Sequence, residues 1–70
     1  MKELIFMVEE DVDGGFYASA LGLSIHVQGE TIAELKSNIK DAVKCHFDDE
    51  EDIPGIIRLH QVKEEVFTYA

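Results

Sequence analysis

The stretch Glu10-Asp11-Val12-Asp13-Gly14-Gly15-Phe16-Tyr17-Ala18 decides how the chain begins. It sets a charged, glycine-containing turn between two runs, Leu4 to Glu9 and Phe16 to Leu21, rich in β-branched, aromatic and other apolar residues. That is the composition of a β-hairpin. Asp13-Gly14 is a strong hairpin signal, because Asp tolerates a left-handed backbone and Gly adopts positive φ without penalty. Gly15 leaves room for a longer loop or a bulge at the start of the second strand.

Working outward, Lys2 to Glu9 places Leu4, Phe6 and Val8 on one face and Ile5 and Met7 on the other. A strand apolar on both faces belongs in the middle of a sheet. Phe16, Ala18 and Ala20 alternate with Tyr17, Ser19 and Leu21, and Ser24 to Gln28 alternates again with Ile25 and Val27 inward. Gly29 is expected to break this third strand.

Thr31-Ile32-Ala33-Glu34 has the form of a capping box, so a helix should start at Ile32. Ile32, Leu35, Ile39, Ala42, Val43, His46 and Phe47 recur at intervals of three and four and form one apolar stripe over about four turns. Lys36, Lys40 and Lys44 flank it. The five acidic residues Asp48, Asp49, Glu50, Glu51 and Asp52 fall where the helix dipole is negative, and Ile53-Pro54-Gly55 follows, so the helix should end there. Ile56 to His60 reads as a fourth strand, with Ile57 and Leu59 on one face. A slip of phase near Gln61 would return Val62 and Val66 to the apolar side. For the apolar end, Val66 to Ala70, three roles stay open: extending the strand, folding over the core, or serving as an interface.

The order βββαβ predicts an α+β fold, a four-stranded sheet in order 3-2-1-4 with strand four parallel to strand one and one helix packed on one face. All 70 residues form a single domain. The second sheet face, with Ile5, Met7, Tyr17 and Leu21, is left for dimerisation or partner binding.

Fifteen acidic against six basic side chains give a net charge of −9. Such a surface repels a phosphate backbone and excludes direct nucleic-acid binding by this chain, while it steers a basic protein inward. The lone Cys45 offers no disulfide framework and fits a reducing cytoplasm; neither export nor membrane insertion is indicated. No metal or cofactor is expected. Glu9, Asp11, Asp13 and Gly14 match the first half of a calcium loop, but Ala20 stands where the bidentate Glu should be. His26 and His60 are predicted on opposite edge strands, His46 on the apolar stripe as a core or interface residue, and Cys45 lacks an adjacent base. A ribonuclease H-like nuclease would need a carboxylate on the first strand, where Leu4 to Val8 is apolar, so no catalytic residue is assigned.

Together Glu10, Asp11, Asp13, Gly14, Gly15, Phe16, Ala18, Leu21, Gln28, Gly29, Thr31 and Glu34 resemble the E-D-x-D-G-G-[FY]-x-A hairpin, following leucine, Q-G-x-T strand end and helix glutamate of the HicB-like antitoxins. The resemblance covers roughly residues 2–47. It departs at Ala20 to Ile25, which lacks the family's proline and cysteine corner, and the chain carries no C-terminal DNA-binding domain, so it looks like a short stand-alone form. The resemblance implies a partial ribonuclease H-like sheet and a non-catalytic module that binds and inhibits a small basic HicA-type mRNA interferase. It offers no physical basis for repression without the DNA-binding domain. The candidate partner contacts are Glu9, Glu10, Asp11 and Asp13 at the turn and Asp48 to Asp52 after the helix. A homodimer is also expected. The alternative is a ligand- or metal-responsive acidic domain, or a stand-alone homodimer with another role.

Overall fold

The computed structural model describes residues 2–63 and 66–69. The elements are β1 (Glu3–Glu10), β2 (Phe16–Ala20), β3 (His26–Gly29), α1 (Ile32–His46), a short 3-10 turn (Glu50–Asp52) and β4 (Ile56–Val62). They form one mixed sheet in order β3-β2-β1-β4 with a single α-helix, which is the α+β architecture expected from the sequence. β1 is central, antiparallel to β2 and parallel to β4.

The strand faces follow from the ladder. Leu4, Phe6 and Val8 of β1, Ala18 of β2 and Ile25 and Val27 at β3 are buried beneath α1, which contributes Leu35, Ile39 and Val43. The helix starts where the capping motif requires: Thr31 Oγ1 accepts from the Glu34 N–H at 3.0 Å. It ends at His46, as the acidic run and Pro54 predict, and Phe47 caps it in extended conformation.

Several local readings are corrected. At the tip, Asp13 is not left-handed; the positive φ angles fall on Gly14 (91°) and Gly15 (86°). Asp11 closes the loop instead, with its carboxylate accepting from the Asp13 N–H at 3.2 Å and its carbonyl from the Gly14 N–H at 3.0 Å. β3 does stop at Gly29, as expected, with Gly29 itself still paired with Phe16. A Cβ there would lie 2.6 Å from Leu35 N, so only glycine lets the first turn of α1 pass so close. Ser24 and Ile25 precede β3 rather than forming part of it, although the Ile25 carbonyl still accepts from Ala20 at 3.0 Å. His46 is exposed, edge-on to Phe47, because it sits at the last helical position, beyond the edge of the sheet-facing stripe.

The expected phase slip at Gln61 does not occur. β4 runs in unbroken register with β1 from Glu3↔Ile56 to Glu9↔Val62, which places Val62 on the open face with Ile56, Arg58 and His60. The ladder with a regular central strand leaves no place for an extra residue. Val66, Phe67 and Tyr69 are exposed and do not cover the core, and Ala70 lies outside the described residues. No helix among the described residues is long and apolar enough to cross a membrane.

Candidate functional site

Where β1 delivers its chain to the hairpin, Glu9, Glu10, Asp11 and Asp13 are all exposed. The pairing of Phe16 with Gly29 brings the end of β3 and the start of α1 beside that turn, adding Glu30 and Glu34. Five carboxylate side chains, from Glu9, Glu10, Asp11, Glu30 and Glu34, line a shallow groove of about 660 Å³ together with Phe16, on the helix side of the sheet, and Tyr17, on the open side. Carboxylates interleaved with aromatic side chains suit a cationic group carried on a hydrocarbon stem, such as Lys or Arg. Val12 projects fully into solvent beside it.

Glu30 and Glu34 were not legible as site residues, because only the β2–β3 register brings them to the turn. The available signal was the pair Gly15 and Gly29: a Cβ at Gly15 would lie 3.3 Å from the Gly29 carbonyl oxygen and one at Gly29 2.6 Å from Leu35 N, so backbones converge there.

The second acidic cluster is elsewhere. Asp48 to Asp52 precede β4, whose first residue pairs with Glu3, whereas the hairpin lies beyond the opposite end of β1. Along an eight-residue strand the two clusters are separated by roughly 23 Å, at about 3.3 Å per residue. The run itself forms the 3-10 turn, with the Asp52 N–H donating to the Asp49 carbonyl at 3.0 Å.

The face of the sheet away from α1 carries half-buried Ile5 and Met7 and exposed Leu21, Ile56 and Val62. On it the Tyr17 hydroxyl and His26 Nδ1 share a 2.8 Å hydrogen bond, and Arg58 pairs with Glu3. His26 and His60 stand on the two edge strands and do not converge. Among the described residues no three His, Cys, Asp or Glu side chains are placed to hold a metal ion, and no polar or charged residue is buried. Cys45 is exposed on α1.

These features define a small mixed-sheet α+β domain with an acidic groove at the hairpin end. The chain belongs to the UPF0150 family. It is 44% identical over 63 residues to a UPF0150 protein of Thermotoga maritima, covering 90% of this chain and 87% of that one. It is also 52% identical over 48 residues to a UPF0150 protein of Archaeoglobus fulgidus, covering 69% of this chain and 71% of that one. No family model matches the chain. No solved structure matches it.

Proposed function

We propose that this domain is a non-catalytic, protein-binding module of the HicB antitoxin type, which inhibits a small basic HicA-type mRNA interferase by occupying its RNA-binding surface. The observation that carries the reading is the hairpin groove, which five carboxylate side chains line beside Phe16 and Tyr17 on a domain of net charge −9. A surface that binds RNA phosphates presents Lys and Arg, and a rim of carboxylates offers those cations the charge they would otherwise find on the nucleic acid.

In this reading the hairpin residues Glu9, Glu10, Asp11 and Asp13, with Glu30 and Glu34, make the contacts. Asp48 to Asp52, at the far end of β1, act at longer range by raising the encounter rate. In this reading the domain acts in the cytoplasm, where its target transcripts are, and needs no cofactor.

The test has two steps. The full chain is used to capture its partner from native lysate at about 50 and about 200 mM salt, a range over which the screening length changes. The captured protein is then assayed for RNA cleavage with increasing amounts of the domain. Stoichiometric inhibition, weakened at the higher salt, is the expected result. Double substitution Glu9→Lys and Asp11→Lys should weaken the complex at least tenfold, while reversing the charge of Asp49 and Glu51 should mainly slow association. A captured protein whose cleavage is unaffected by the domain would overturn the reading.

A further inference from the structure

The two edges of the sheet differ in what they leave unpaired, and the geometry points to the outer edge of β4 as the surface where two copies of this chain join. β4 of one copy lies antiparallel to β4 of the other about a two-fold axis at Leu59, giving one continuous sheet with both helices on the same side. This inference is independent of the antitoxin reading.

The phase of the ladder identifies the free groups. Ile56 N–H donates to the Lys2 carbonyl at 3.2 Å, and β4 then runs parallel to β1 without interruption. In a parallel pair alternate residues turn both backbone groups toward the neighbour. Ile56, Arg58, His60 and Val62 therefore bond to β1, and Ile57, Leu59 and Gln61 present their N–H and C=O groups outward. Exposed edges are ordinarily blunted by proline, bulges, charge or brevity. β4 is seven residues long, regular and free of proline, and its one internal charge, Arg58, is held on Glu3 on the open face.

Self-pairing then has few registers. Outward groups meet outward groups only when the two-fold axis falls on a residue, so that odd-numbered positions face odd-numbered positions. Centring on Arg58 sets Arg58 against its own copy, a like-charge pair. Centring on His60 sets Ile57 against Lys63. Centring on Leu59 aligns all three outward residues, for about six inter-strand hydrogen bonds. It also places Ile56 (53% exposed) opposite Val62 (44% exposed) and Leu59 opposite Leu59.

Charge selects a second copy over a basic partner at this edge. Ile56 to Lys63 contains Arg58 and Lys63 and no carboxylate, so it has nothing to recruit a cationic protein. In the Leu59-centred register Lys63 falls opposite Gly55, close to the partner's acidic run. The remainder of each copy is acidic, so added salt relieves repulsion and tightens the dimer, whereas salt weakens a complex with a basic protein.

Sedimentation equilibrium of the full chain at about 100 μM, in low and high salt, tests the assignment beside Gln61→Pro. The Gln61 N–H points away from β1, so proline there removes no hydrogen bond within one copy. The wild type should sediment at twice 7.9 kDa, more completely at high salt, and the variant should dissociate at least tenfold more readily. Amide exchange at Ile57, Leu59 and Gln61 should be slow in concentrated wild-type protein and fast on dilution. Circular dichroism establishes that the variant is folded; if it is not, Gln61→Asp replaces it. A monomeric wild type, a folded variant that dimerises unchanged, or slow exchange at those amides in the monomer would each overturn the proposal.

Discussion

β3 and β4 are both edge strands of the same sheet, yet one is closed and the other open. β3 has four residues, its last is locked beneath Leu35, and α1 lies closest to this side of the sheet. Its outward carbonyl at Gln28 is taken by the Asn38 side chain, which donates from Nδ2 at 2.8 Å. β4 is seven residues long, and its helix-facing residues Ile57 and Leu59 are only half buried. The difference teaches that this domain protects an edge by placing a helix and one amide against it, and does so once.

The comparison is broken most severely at Gly29. Gly29→Ala forces a Cβ to within 2.8 Å of both Leu35 N and Leu35 Cα, and backbone rather than a pliable side chain must move. Urea unfolding should show a loss of about 3 kcal/mol, the upper end of overpacking costs. Asn38→Ala is gentler: it removes the bond to Gln28 and should cost about 1 kcal/mol. The same variant makes the closed edge resemble the open one, so self-association at high concentration should rise in light scattering. Arg58→Gln sharpens the contrast from the other side. The Arg58–Glu3 pair is exposed, with side chains at 58% and 36%, so stability should change by no more than about 0.5 kcal/mol. A larger loss at Arg58 would mean that β4 depends on that pair rather than on its ladder with β1.

Strand order was legible from the sequence because β1 is apolar on both faces and therefore central, and because Thr31 and Glu34 mark the start of the helix. The tip was read correctly as a turn but for partly the wrong reason, since Asp11 closes it through its carboxylate while Gly14 and Gly15 take the unusual φ angles. Val62 misled through composition: a valine looks inward, but its direction is set by pairing with Glu9, a contact between residues far apart in the chain. The candidate site was half visible for the same reason. Glu9 to Asp13 are contiguous and stand out, whereas Glu30 and Glu34 join them only through the β2–β3 ladder, and Asp48 to Asp52 look like part of the cluster until β1 is seen to hold the two apart.

The parallel pairing of β1 with β4 has a consequence during synthesis. Glu3 and Ile56 are partners separated by roughly fifty positions, and closing so long a loop is slow relative to hairpin formation. At ribosomal rates of about 5–20 residues per second, β1 is made several seconds before β4 exists. During that interval the hairpin, β3 and α1 can assemble, and the flank of β1 stands vacant. The nascent chain therefore passes through a stage in which its most apolar strand is a template for any extended segment nearby, and the arrival of its own last strand ends that exposure.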